Sequence, residues 1–321
     1  MRRAPDGRSF ARPETGELAM RRQVDAQAAS MMVVLCLLWG LQQVAIKAAS
    51  VDVATMLQAA LRSGVAAGCV WVYSRFVSKD RWFEDVLRPG LLVGGLFAIE
   101  FLCVAESLRW TTASHVSVML YTAPMFAAVG LHLRIPEERL GRVQWLGIGL
   151  AFLGVCVTFL GKEATASVAA PSPLKGDLIA LLGGAAWGMT TVAVRASRLS
   201  EAPATQTLFY QLAGGFLLLL PLAAITGQLR FEPTRLAWGS LAFQALVVSF
   251  VSYLIWFRML RTYWAAPLGV LSFMTPIFGV ILGAVLLRET LTVSFLAGAA
   301  LVLTGLFIVN GHGLLRRLAR G

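Results

Sequence analysis

Apolar stretches of about 20 residues recur from residue 31 almost to the end of the chain. Each is long enough, at roughly 1.5 Å per residue, to cross a hydrocarbon core of roughly 30 Å. Lipid offers no water to the backbone, so every N–H and C=O in such a segment must be satisfied internally. The stretches lack the alternation of a barrel strand, which leaves helices. Composition agrees: 57% of the 321 residues are apolar and 14% are charged, against roughly 25% charge in a water-soluble domain. The sequence therefore predicts an all-α integral membrane protein. Ten transmembrane helices are expected, at about 31–49, 53–75, 90–109, 112–133, 142–160, 176–196, 204–227, 237–260, 265–287 and 292–311.

The net charge of +11 would suggest nucleic acid in a soluble protein. Here the basic residues sit in the short gaps between apolar spans, which makes them an orientation signal and excludes a nucleic-acid patch. With the N-terminus inside, twenty Lys and Arg fall on the inner side and seven on the outer side, so both termini are expected in the cytoplasm of a bacterial-type inner membrane. Residues 1–30 carry six arginines, four acids and two prolines with no apolar run, and read as a solvated cytoplasmic tail rather than a signal peptide; Met20 is an alternative start. Residues 312–321 form a basic C-terminus. The four cysteines, Cys36, Cys69, Cys103 and Cys156, lie inside apolar spans at none of the spacings a metal site uses, and no metal or other cofactor is expected.

An Ala, Ser and Pro-rich stretch at 161–175 divides the chain into halves at 31–160 and 176–311, and the halves resemble each other. The run Trp39-Gly40-Leu41-Gln42-Gln43-Val44-Ala45 reads against Trp187-Gly188-Met189-Thr190-Thr191-Val192-Ala193 at an offset of 148. Pro124 matches Pro276 at 152, and Glu138, Leu140, Gly147 and Gly154 match Glu289, Leu291, Gly298 and Gly305 at 151. Five helices is an odd number, so the second copy enters the membrane from the opposite face. Inverted repeats of this kind are the architecture of alternating-access transporters, with a solute site near the midplane where the copies meet.

At these residues the chain resembles the drug/metabolite transporter superfamily, in its ten-helix branch of two EamA-type repeats. The likeness rests on the Trp-Gly pairs, the mid-helix prolines and the Glu followed by Gly-rich helices, and it covers about 31–311. It implies an exporter of amino acids, other metabolites or toxic organic cations, driven by a proton or substrate gradient. Aromatic amino-acid and methyl viologen exporters are the members to compare first.

Polar groups at membrane depth need a partner or a role, because a charge at a helix centre costs around 2.5 to 3.5 kcal/mol on insertion scales. Arg62 and Glu100 sit at similar depth on sequential spans, so they are candidates to pair with each other or to meet a zwitterionic solute. Glu106 and His115 straddle a short outer turn; with Glu100 they are the candidates for proton coupling. Lys47 and Arg195, ending matched helices, are expected to snorkel to the interface. Trp39 and Trp187 lie deeper than the usual aromatic belts and, with Gln42, Gln43 and Thr191 nearby, are candidates to wall a cavity. Tyr121, Tyr210, Gln211, Gln244, Ser252 and Tyr253 are weaker candidates for the cavity lining, and hydrogen bonding between helices explains them equally well. Pro124 and Pro276 should kink the fourth and ninth spans as hinges. The glycines at 147, 149, 154, 298 and 305 suit close helix packing, within the fold or at a contact in a weak homodimer.

No Walker-type phosphate loop, H-E-x-x-H or G-x-S-x-G run occurs, so neither direct ATP use nor hydrolysis has a visible catalyst and no enzyme is expected. The expected partners are a small-molecule substrate and membrane lipids. The alternatives are an uncoupled facilitator of the same solutes and, further off, an intramembrane lipid-modifying enzyme using Glu100 or Glu106 with His115.

Overall fold

A computed structural model describes residues 22–136, 139–160, 170–263 and 265–318. Most of the N-terminal tail, most of the 161–175 linker, Glu138 and the last three residues of the basic C-terminus lie outside the described residues. Among those described the chain is helical, with isolated bridges in place of strands, Arg22 to Tyr263 and Val53 to Phe231.

The first half holds α1 (Ala26–Ala49), α2 (Thr55–Val72), α3 (Leu87–Trp110), α4 (Ala113–Leu120), α5 (Ala123–Arg134) and α6 (Arg142–Leu160). The second holds α7 (Pro173–Arg195), α8 (Ala204–Ile225), α9 (Arg235–Ala242), α10 (Tyr253–Thr262), α11 (Ala265–Leu271), α12 (Met274–Leu286) and α13 (Val293–Leu318). Among the described residues seven helices are long and apolar enough to cross a membrane, and shorter apolar helices lie at Arg142–Thr158 and Val293–Val309. Apolar side chains cover the exterior, with Leu133 79% and Val293 84% exposed. A soluble protein could not keep such a surface in water.

The expected proline kinks are breaks instead. The helix stops at Leu120, turns through Tyr121 and Thr122, and restarts as α5 with Pro124 in its first turn. A proline there gives up an N–H that would have no partner anyway. The break before α12 repeats this geometry: Thr122 N donates to Met119 O at 3.2 Å and Phe273 N to Val270 O at 3.2 Å. Between α9 and α10 the chain is π-helical from Phe243 to Ser252, and Gln244, Ser249 and Ser252 are all buried.

Small residues set the close crossings. A Cβ at Gly40 would stand 2.8 Å from the backbone N of Gly279, and one at Gly188 would stand 2.7 Å from Ala123 O, so α1 lies directly on α12 and α7 on α5. The glycines of α6 and α13 face each other in the same way, Gly147 on Gly305 and Gly154 on Gly298, whereas Gly149 faces open space. For Gly147, Gly154, Gly298 and Gly305 the expected close packing is thus internal to the chain.

Candidate functional site

A cavity of ≈ 440 Å³ lies between the halves. Helical periodicity puts residues three and four apart on one face, and each helix bordering the cavity contributes such a set. From α1 come Trp39, Gln42 and Gln43; from α3, Phe97, Glu100 and Phe101; from the α4 segment, Ser117, Leu120 and Tyr121. The second half supplies Trp187, Thr190, Thr191, Val194 and Arg195 from α7, Thr207, Leu208 and Gln211 from α8, and Tyr253, Trp256, Phe257 and Leu260 from α10. Ser272, in the break before α12, and Thr275, in the first turn of α12, complete the wall.

Aromatic edges fix its shape. Trp39 meets Trp256 edge-on with centroids 5.6 Å apart, and Tyr121 meets Trp187 edge-on at 5.3 Å. The indole N–H of Trp39 donates to Ser252 Oγ at 2.9 Å, which locks its ring. Arg195 and Leu260 lie near the C-terminal ends of their helices, so one end of the cavity reaches the end of the bundle that they share.

At the opposite end of the bundle polar contacts join the two halves. Asp177, in the first turns of α7, accepts from Thr111 Oγ1 at 2.7 Å and lies 2.7 Å from His115 Nδ1, whose ring stacks on Phe295. The Lys47 ammonium donates to Thr111 O at 2.9 Å and also to Leu108 O, so it caps the C-terminus of α3 rather than reaching for the interface. Glu289 caps the start of α4, accepting from Ala113 N at 2.7 Å and Ser114 N at 3.0 Å.

Three expectations change at this level. Glu106 and His115 do not meet: Glu106 pairs with Arg109 at 2.9 Å and accepts from Gln228 at 2.7 Å, and the carboxylate beside His115 is Asp177, which sequence reasoning missed. Neither Glu106 nor His115 lines the cavity. Tyr210 is also outside it, packed against Gly90 and Gly94 of α3.

Arg62 and Glu100 form no ion pair. Glu100 lines the cavity. Arg62 is 1% exposed, none of its three guanidinium nitrogens has a hydrogen-bond partner among the described residues, and its Cζ lies 3.8 Å from the centroid of the Phe101 ring. A cation on an aromatic face gains about 2 kcal/mol when desolvated, less than a buried arginine costs at membrane depth. Gln43 Oε1, on a cavity-lining residue, is likewise buried without a hydrogen-bond partner among the described residues. Of the other residues that sequence reasoning passed over, Trp256 and Phe257 were findable as the i+3 and i+4 neighbours of Tyr253.

The profile of the EamA-like transporter family matches this chain twice, over residues 27–160 and 174–311. The chain is 29% identical over 304 residues to a probable amino-acid metabolite efflux pump of Salmonella typhimurium, covering 90% of this chain and 97% of that protein. It is 22% identical over 280 residues to the uncharacterized transporter YoaV of Bacillus subtilis, with 86% and 94% covered. A crystal structure with 24% identity superposes with a TM-score of 0.62 over 91% of this chain and 99% of that one, a likeness of fold.

Proposed function

Because this chain belongs to the EamA-like transporter family, and is thus a multi-pass membrane transporter of small molecules, we propose that it exports amino acids or related small metabolites by alternating access around the central cavity. One observation carries this reading: a cavity of ≈ 440 Å³ walled by aromatic and polar side chains from both halves, at the size that small-ligand sites take. The printed description of the Salmonella typhimurium relative, a probable amino-acid metabolite efflux pump, supports the substrate class.

The architecture belonging to this reading is ten spans in two inverted five-helix repeats, 31–160 and 176–311, with both termini in the cytoplasm of an inner membrane. The double family match supports it. So does the exchange of contacts, since Phe126 and Ala127, under Gly188, stand 152 residues before Phe278 and Gly279, under Gly40. The excess of Lys and Arg on one side supports the orientation. On this reading the cavity opens toward the cytoplasm at Arg195 and Leu260, and the contacts of Asp177 and Lys47 close the outer side. The breaks before Pro124 and Pro276 act as the hinges, in the manner of discontinuous transporter helices. Trp39, Gln42, Gln43, Tyr121, Trp187, Thr191 and Tyr253 contact the solute, and Glu100 is the proton-coupling group because it alone of the three candidates faces the cavity. The protein works as a monomer, because its glycine seams are used inside the fold.

Purified protein in proteoliposomes tests this. Flux of at least one of the twenty common amino acids, stimulated by an imposed proton gradient, is the expected result. Flux indifferent to the gradient would make the protein an uncoupled facilitator; no flux of any amino acid from folded protein would overturn the reading.

A further inference from the structure

We propose that Arg62 is the receptor for a carboxylate of the transported solute, which makes the protein selective for carboxylate-bearing zwitterions and not for organic cations. This rests on the central cavity being the solute site. Arg62 is 1% exposed, and all three of its guanidinium nitrogens are without a hydrogen-bond partner among the described residues. A planar guanidinium that stays charged and offers paired N–H donors matches the two oxygens of a carboxylate, and no neutral group satisfies it as well. It is placed one side chain from the cavity, its Cζ 3.8 Å from the centroid of the Phe101 ring, and Phe101 itself lines the wall. Rotation of that ring opens the guanidinium to a bound solute.

The other end of a zwitterion has acceptors as well. Glu100, next to Phe101 in the chain, faces the cavity, and Gln43 Oε1 is a buried carbonyl oxygen without a donor among the described residues. An ammonium between them leaves the side chain of the solute among Trp39, Tyr121 and Trp187. A quaternary cation gains nothing from Arg62, whose charge repels it across the low-dielectric cavity wall.

The experiment is a competition in proteoliposomes containing the wild-type protein. The best-transported of the twenty common amino acids is competed by its own unlabelled acid, its amide, its decarboxylated amine and methyl viologen. The expected result is that the amide, the amine and methyl viologen compete at least about tenfold more weakly than the acid, one tenfold step being the scale of a charged hydrogen-bonding contact. Arg62→Gln is expected to bring acid and amide within about twofold of each other, and Arg62→Lys to restore part of the preference. Equal competition by acid, amide and amine would overturn the role of Arg62 and leave the exporter intact. Failure of every amino acid to move would instead remove the exporter reading, and this proposal with it. Should Arg62→Gln fail to fold, the wild-type series alone decides, because it reads the carboxylate preference directly.

Discussion

The His115 ring and the Asp177 carboxylate meet at 2.7 Å, Nδ1 to Oδ2, joining α4 to α7 at the end of the bundle away from Arg195. The second oxygen of Asp177 accepts from Thr111 Oγ1 at 2.7 Å, so one carboxylate holds two elements of the first half against the second. Asp177 is 2% exposed. Asp177→Ala would leave two buried groups without their acceptor, at a cost of about 3 kcal/mol. The expected outcome is a clear drop in the unfolding temperature of the purified protein in detergent, with Asp177→Asn, which keeps one acceptor, losing less than half as much. An unchanged melting curve for Asp177→Ala would mean that this contact carries no weight in the fold.

Gly147 and Gly149 sit two residues apart on α6 with opposite surroundings. A Cβ at Gly147 would lie 2.7 Å from Gly305 O, a backbone atom that cannot swing away, while one at Gly149 meets nothing within 4 Å. Gly147→Ala should push α6 off α13 and cost about 1 to 3 kcal/mol, in the range of core overpacking. Gly149→Ala should be neutral or slightly stabilising, since alanine is the better helix former. Thermal unfolding of the two variants side by side checks the ordering; equal effects would contradict the close crossing.

The membrane makes some of this architecture readable in sequence and hides the rest. Apolar spans announce themselves because lipid forbids anything else. Trp39, Gln42, Gln43, Trp187 and Thr191 stood out because large or polar side chains in mid-span are costly, and all five line the cavity. The same rule passed over Asp177, since an acid in the first turns of a span looks like an interfacial charge and its partner His115 is 62 residues away in the chain. Tyr210 was drawn to the cavity by its type alone. Its ring lies on the bare backbone of Gly90 while its carbonyl oxygen faces Gly94, and a glycine's missing side chain leaves no pattern pointing to the ring that fills the gap. The proline breaks read as kinks because sequence gives the lost N–H but not the turn that the chain makes two to four residues earlier.

Glu289 serves a helix that is distant in sequence. Its two oxygens accept from Ala113 N and Ser114 N, the first donors of α4, which otherwise have no intrahelical partner. A carboxylate there also meets the positive end of the helix dipole. Glu289→Ala should destabilise the protein by about 1.5 to 3 kcal/mol, the value of hydrogen bonds to a charged group. Glu289→Gln, which keeps an acceptor without the charge, should recover about half. Detergent unfolding again measures it, and an effect of Glu289→Gln as large as that of Glu289→Ala would show that charge, not hydrogen bonding, is what the helix end needs.

Asp177 and Arg195 lie eighteen residues apart on one helix, which at the helical rise separates the tied end of the bundle from the open end by about 27 Å. Leu260, beside the open end, is partly exposed, whereas Ser114, at the tied end, is fully buried. With Cys36, Cys69, Cys103 and Cys156 replaced by alanine, Leu260→Cys should react with a membrane-impermeant maleimide in inverted vesicles and not in right-side-out cells. Ser114→Cys should resist from both sides. A saturating concentration of the transported amino acid should slow labelling at Leu260→Cys, because that residue lines the same cavity as Trp39 and Glu100. Labelling from the outside alone would reverse the orientation taken from the basic residues. Equal labelling from both faces at Ser114→Cys would mean that the contacts around Asp177 do not hold the outer side closed.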